Sequence, residues 1–408
     1  MRFSKASIVV AVAVTALLPA APAQAKAYVC PQQPGAGKVS AATPYETQMF
    51  APERLAPFAT GAGVRVAVLD SGVDGTHPQL RGQVARGKDY LHGSAGGQQD
   101  CIGHGTAVAS IIAARHLQGS GLQGLAPDAT IVPVRVSEQI PTADGAPSGP
   151  QTSPGTFARA IDWAASPTGG NADVINMSLV MTQKNDQVRA AVERALGRGV
   201  VIVAAVGNDG DENGRNLPPY PAAFPGVIGV GATDVNGVRG DFSQHGTYVD
   251  VMAPGVDVTV AARRAGHTSG SGTSYATPYV SATAALVKQR FPSLTPAQVA
   301  RRILATTDPA PGGAHSEQYG YGIVNPYRAL TETLGPDSPA APPPMVMHTE
   351  DPATVALAAR RAEAEDMSLI VAAVGAGVVV LVLLLAAAVR HGRRRGWRPP
   401  APADTADG

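Results

Sequence analysis

Four short blocks of the 408-residue chain place reactive side-chain types beside elements able to hold them still. In VRVAVLDSGVDG an apolar run ends on Asp70 and breaks at a Ser-Gly turn. A carboxylate at the C-terminal end of a buried strand sits where open α/β sheets place their ligands, although Asp before Ser-Gly is also an ordinary turn. In DCIGHGTAVASIIAA, His104 precedes a helical apolar pattern. An imidazole on the first turn of a helix is fixed in place while each ring nitrogen reaches a different partner; a capping or core histidine is the plain alternative. Ser274, in TSGSGTSYATPYVSATAALV, stands between a glycine-bearing loop and a long amphipathic helix. It lies near the unpaired N–H groups of the helix end, which favour developing negative charge, and is equally suited to be an N-cap. Pro278 is expected in the first turn of that helix, where a missing N–H is harmless. Asn208 closes the apolar run of VVIVAAVGNDG; its amide can donate to the oxyanion of an attacked carbonyl, or shape a turn with Gly207 and Gly210.

The elements that must position these residues follow from the apolar pattern. Short β-branched runs (VRVAVL, TIVPVRV, ADVINMSL, VVIVAAV) alternate with helix-like stretches: TAVASIIAA, one around residues 157–165 and one near 188–196. Continuously apolar strands separated by helices predict an α/β fold, a parallel sheet covered by helices on both faces. Residues 138–154 (EQIPTADGAPSGPQTSP) have no apolar period and predict a long surface loop rather than an element. Residues 26–60 show little periodicity, and Gly61 is expected to open the folded domain. No internal repeat is present.

The ends of the chain speak to location. Arg2 and Lys5, an apolar run over 8–18 and Ala23-Gln24-Ala25 predict a secretory signal peptide over 1–25, the run being short for an anchor across a bilayer core of about 30 Å. Residues 367–389 carry no charge and are apolar on every face, which predicts a transmembrane helix rather than a core helix. Arg390, Arg393, Arg394, Arg395 and Arg398 follow it, so the positive-inside rule places a basic tail, 390–408, in the cytoplasm and the bulk of the chain outside a cell membrane, as a type I single-pass protein. The Pro-rich stretch within 335–366 reads as a linker. A formal charge of +1 excludes a broad basic surface for nucleic acid. Export puts Cys30 and Cys101 in an oxidising compartment, where they are expected to pair, two free thiols being the alternative. Neither HExxH nor a Cys/His cluster points to a metal.

DSGVD, HGTAVAS and GTSYATP, in that order, with VNPYRAL closing the region, resemble the subtilisin family of serine proteases over about 61–334. DVINMSL and VDVMAPG are weaker echoes. The resemblance implies a subtilisin-like catalytic domain acting on protein or peptide substrates with no cofactor. Ser274 would attack the carbonyl, His104 would move its proton, Asp70 would orient the imidazole, and Asn208 with the Ser274 N–H would form the oxyanion hole. It also implies that the substrate pairs along Ser178, Leu179 and Val180. Many members have glycine where Val180 stands, so a narrowed pocket and limited specificity are expected.

The architecture as a whole is a signal peptide, a short N-terminal extension over 26–60, a catalytic domain over 61–334, a linker, a span and a basic tail. It resembles the mycosins, the membrane-anchored subtilases of type VII secretion systems. That implies limited cleavage of secreted substrates and secretion-complex subunits as partners. A chiefly structural role in such a complex and a surface-tethered general protease are the competing readings.

Overall fold

The computed structural model describes residues 30, 35–93, 96–141, 147–210, 216–311, 315–335 and 389–390. Among the described residues there are eleven strands: β1 (Arg65–Asp70), β2 (Lys88–Asp89), β3 (Thr130–Arg135), β4 (Ile140–Pro141), β5 (Pro147–Ser148), β6 (Val174–Met177), β7 (Val201–Ala205), β8 (Val227–Thr233), β9 (Val251–Pro254), β10 (Val258–Ala261) and β11 (His267–Gly270). The helices are α1 (Tyr45–Phe50), α2 (Pro52–Leu55), α3 (His104–Ala113), α4 (Pro154–Ala164), α5 (Asp186–Gly197), α6 (Thr273–Arg290), α7 (Pro296–Ala305) and α8 (Pro326–Thr331).

Seven strands form one sheet in the order β2-β3-β1-β6-β7-β8-β9, parallel at every junction. Period-two alternation sends Val66 and Val68 of β1 into the core shared with α3 and α6. Ala67 and Leu69 go to the opposite face, under α4 and α5. Both faces are therefore buried, which is why the strands read as unbroken apolar runs. The chain leaves β1 toward β3 on one side and later returns beside β1 as β6, so the winding direction reverses between β1 and β6. At such a switch point the connections splay apart beyond the strand ends and leave a crevice.

Three sequence expectations change. Residues 138–154 contain a short antiparallel ladder, β4 with β5, because Ile140 and Pro141 find partners in Ser148 and Pro147 that no apolar period announces. Residues 45–55 form two short helices whose Phe50 and Leu55 enter the main core. Packing also runs through residue 61 without a break: Gln289 Oε1, near the end of α6, accepts from the N–H groups of Thr60 (2.8 Å) and Gly61 (2.7 Å). The signal-peptide segment and the span at 367–389, apart from Val389, lie outside the described residues. Among the described residues no helix is long and apolar enough to cross a membrane.

Candidate active site

Asp70 is the last residue of β1, paired in register with Arg135. Its carboxylate is 4 % exposed; Oδ1 accepts from the Ser71 N–H at 2.7 Å and lies 2.8 Å from His104 Nδ1. A carboxylate can only accept here, so Nδ1 carries the proton and Nε2 presents a lone pair. That lone pair faces Ser274 Oγ at 3.0 Å. The three side chains, 34 and 170 residues apart in successive steps of sequence, thus form one hydrogen-bonded line.

His104 opens α3 after Gly103, whose φ of 95° is a left-handed conformation that glycine adopts without strain. Gly105, on the other side of His104, must also lack a side chain. A Cβ on Gly105 would lie 2.0 Å from the Gly72 carbonyl oxygen and 3.1 Å from Asp70 Cβ, so the start of α3 is pressed against the loop that follows β1. The helix end is held by Asp100, which sequence reasoning did not single out. Its carboxylate accepts from the N–H groups of Ile102, Gly103 and Thr106 and from the hydroxyls of Ser71 and Thr106. An acidic residue just ahead of a helix start is the capping signal that could have found it. Burial pushes the Asp100 pKa up, against the opposing pull of those hydrogen bonds. For His104, burial presses the pKa down, but the Asp70 charge, the Asp70 hydrogen bond and the Asp100 charge outweigh it, and the net direction is up. The Tyr275 ring meets the imidazole edge-on, with centroids 5.3 Å apart.

Ser274 is the second residue of α6. The preceding loop brings Gly272 so close that a Cβ there would lie 3.1 Å from Ser274 Oγ and 3.3 Å from Asn208 Nδ2. Asn208 follows β7, and its Oδ1 accepts from the Thr273 N–H (2.9 Å) and hydroxyl (3.0 Å). Because the oxygen is used in that way, the amide nitrogen is turned toward the Ser274 side of the crevice, the orientation an oxyanion donor requires. Pro278 differs from expectation: α6 begins at Thr273, so this proline lies inside the helix, beyond its first turn.

These groups line a cleft of about 610 Å³, together with Leu179 and Val180 beyond β6 and with Gln139 and Gln151 from the 138–154 segment. Ser178 also borders it, but its hydroxyl turns inward and donates to the Ser274 carbonyl oxygen at 2.8 Å. Cys30 and Cys101 are joined as a disulfide with Cα atoms 5.3 Å apart, three residues ahead of His104. Arg135 approaches Cys101 Sγ at 3.0 Å, and also pairs with Asp89 and Glu138.

The model of the subtilase family matches residues 61–322. Subtilisin E of Bacillus subtilis is 36 % identical over 279 residues, 68 % of this chain and 68 % of that protein. Mycosin-1 of Mycobacterium tuberculosis is 36 % identical over 329 residues, 70 % of this chain and 72 % of that one. A solved structure described as a serine protease, MycP1, an essential component of the type VII (ESX-1) secretion system, superposes with a TM-score of 0.62 at 32 % identity, covering 74 % of this chain and 94 % of its own.

Proposed function

The chain belongs to the subtilase family as a subtilisin-like serine endopeptidase related to the mycosins, and from that premise we propose that Asp70, His104 and Ser274 are its catalytic triad. Ser274 Oγ attacks the scissile carbonyl as His104 Nε2 takes its proton; the resulting imidazolium is held by Asp70 through Nδ1. Asn208 Nδ2 and the Ser274 N–H receive the oxyanion. The protonated His104 then releases the leaving amine, and water resolves the acyl-enzyme by the reverse path. The observation that carries this reading is the pair of contacts from one imidazole, 2.8 Å to Asp70 and 3.0 Å to Ser274.

The finer reading is a protease of limited specificity. Leu179 and Val180 occupy the cleft wall, and a branched side chain at 180 leaves less room for the peptide than glycine would. A domain plan with a cleaved signal peptide, an N-terminal extension over 26–60 that is retained and clasped by Cys30–Cys101, a catalytic domain to 334, a linker and a type I anchor over 367–389 suits a processing enzyme held at the outer membrane surface beside a secretion complex. Similarity to a protein described as an essential component of a type VII system favours secretion-complex subunits as partners. It also keeps a second reading in view, in which docking matters more than cleavage.

Treating the full chain in detergent with a fluorophosphonate and mapping the adduct tests the chemistry. Labelling confined to Ser274, and absent in Ser274→Ala, is expected; a folded protein that takes no label would overturn the catalytic assignment. Restoration of secretion by Ser274→Ala in a deletion strain would favour the docking reading, and failure to restore it the proteolytic one.

A further inference from the structure

In an α-helix each carbonyl is taken by the N–H four residues on. For Ser274 in α6 that residue is Pro278, which has no N–H to give. The acceptor left over belongs to the very residue that carries the candidate nucleophile, near the start of a helix largely buried along its length. A buried carbonyl without a donor is costly and rare. Its donor comes from another element: Ser178 Oγ, one residue beyond β6, donates to the Ser274 carbonyl oxygen at 2.8 Å.

What stands behind Ser178 sets the direction of that bond. Ser281 Oγ donates to Asn176 Oδ1 at 2.8 Å, which turns the amide nitrogen of Asn176 toward Ser178. Asn176 Nδ2 then donates to Ser178 Oγ at 3.0 Å. With its lone pair so engaged, the Ser178 hydroxyl aims its proton at Ser274. Asn176 and Ser281 are fully buried and Ser178 is 7 % exposed. Polar groups at that depth are tolerated when every member of the network is bonded, and here the bonds all run toward a single atom.

We propose that Ser178 is a positioning residue for Ser274: it supplies the hydrogen bond that Pro278 withholds, and so holds the nucleophile's backbone where Oγ meets His104 Nε2. Asn176 and Ser281 fix the polarity of the relay. The inference rests on the reading of Ser274 as the nucleophile, and it moves Ser178 from a substrate contact to a support of the reacting group. It also explains how a proline is accommodated inside α6 so close to the reacting serine: the helix gives up one internal bond and gains a tie to the strand whose continuation, Leu179 and Val180, forms the cleft wall.

A double-mutant cycle on the full chain tests this, using Ser178→Ala, Pro278→Ala and the two together. The rate of fluorophosphonate labelling at Ser274 is read alongside kcat and KM on a peptide ester. Ser178→Ala should slow labelling and lower kcat by about 10–100-fold, the scale of a small misplacement of a reacting group, with KM within about twofold. Pro278→Ala should stay near wild type. In the double variant the restored N–H at 278 can take the Ser274 carbonyl, so its rate should return to within about twofold of Pro278→Ala. Wild-type rates in Ser178→Ala, a double variant as slow as Ser178→Ala, or a rise in KM alone would each overturn the proposal, the last returning Ser178 to substrate contact. Should Ser178→Ala fail to fold, a folded and active double variant supports the relay and an unfolded one overturns it. Folded wild-type protein that is not labelled at Ser274 would refute the nucleophile itself, and the relay with it.

Discussion

Asp70→Asn keeps the shape of the side chain and removes its charge, which isolates what the carboxylate contributes. In the wild type, Oδ1 is 2.8 Å from His104 Nδ1, and the carboxylate is almost fully buried while the imidazole is 26 % exposed. For charge centres about 4 Å apart at an effective dielectric of about 20, the attraction on the imidazolium is about 4 kcal/mol. Loss of that attraction in the transition state corresponds to a fall of about 10³ in rate, and an amide nitrogen facing Nδ1 would enforce the wrong tautomer and extend the loss toward about 10⁴. The pH profile gives a second, independent readout. As the proposed general base His104 must be neutral, so kcat/KM should fall as pH drops through the imidazole pKa of the free enzyme. With the Asp70 charge outweighing burial, that acid limb lies above the ordinary value of 6.5. In Asp70→Asn, burial remains and the main opposing charge is gone, so the limb should move to lower pH. Steady-state kinetics on a peptide ester from pH 5 to 9, with circular dichroism as a control for folding, measures both effects. A folded variant that keeps a third of wild-type activity, or whose acid limb does not move down, refutes the assignment of Asp70.

Asn208→Ala should lower kcat by about 10²–10³ with little change in KM; an equal rise in KM at constant kcat would mean that the amide binds the ground state instead. Burial raises the Glu46 carboxyl from 4.5 to about 7, with Oε1 accepting from the Thr259 N–H at 2.8 Å. Between pH 4.5 and about 7 the unfolded chain releases this proton while the folded chain keeps it, so stability falls as pH rises through that window. Glu46→Gln should therefore shrink the difference in Tm between pH 5 and pH 8, the effect being on the order of 3 kcal/mol; an unchanged difference would place the source elsewhere. Cys30→Ser opens a link across 71 residues and should cost about 2–4 kcal/mol, read as a drop in Tm that reduction of the wild type reproduces; a Tm indifferent to both would mean that the clasp does not restrain the fold.

The strands that carry the site were legible because the β1, β3, β6 and β7 runs are buried on both faces and show it as largely apolar sequence. Asp70, His104, Ser274 and Asn208 stood out because each borders such a run or a helical pattern and lies within two residues of a glycine. Less legible were elements whose identity comes from packing. The six- and four-residue helices α1 and α2 contain too little sequence for a 3.6-residue period, and exist because Phe50 and Leu55 reach the core. The ladder of β4 with β5 is two residues long on each side and includes two prolines, below what alternation can reveal.

Pro278 marks the limit most clearly. A local rule places a proline in the first turn of a helix at no cost, and the rule is sound; but with α6 starting at Thr273, beside Ser274 as the sequence suggests, Pro278 lies beyond the first turn, and its missing N–H leaves the Ser274 carbonyl without its internal donor. The partner that answers it, Ser178, lies 96 residues away at the end of a neighbouring strand. The same holds for Asp100, whose five acceptor contacts tie the turn after β1 to the start of α3. In both cases a buried polar side chain closes a backbone or hydroxyl requirement that arises only once two elements meet. Side chains of that kind decide whether a hydrogen-bonded line such as Asp70–His104–Ser274 is held at reacting distance, and they carry no motif of their own.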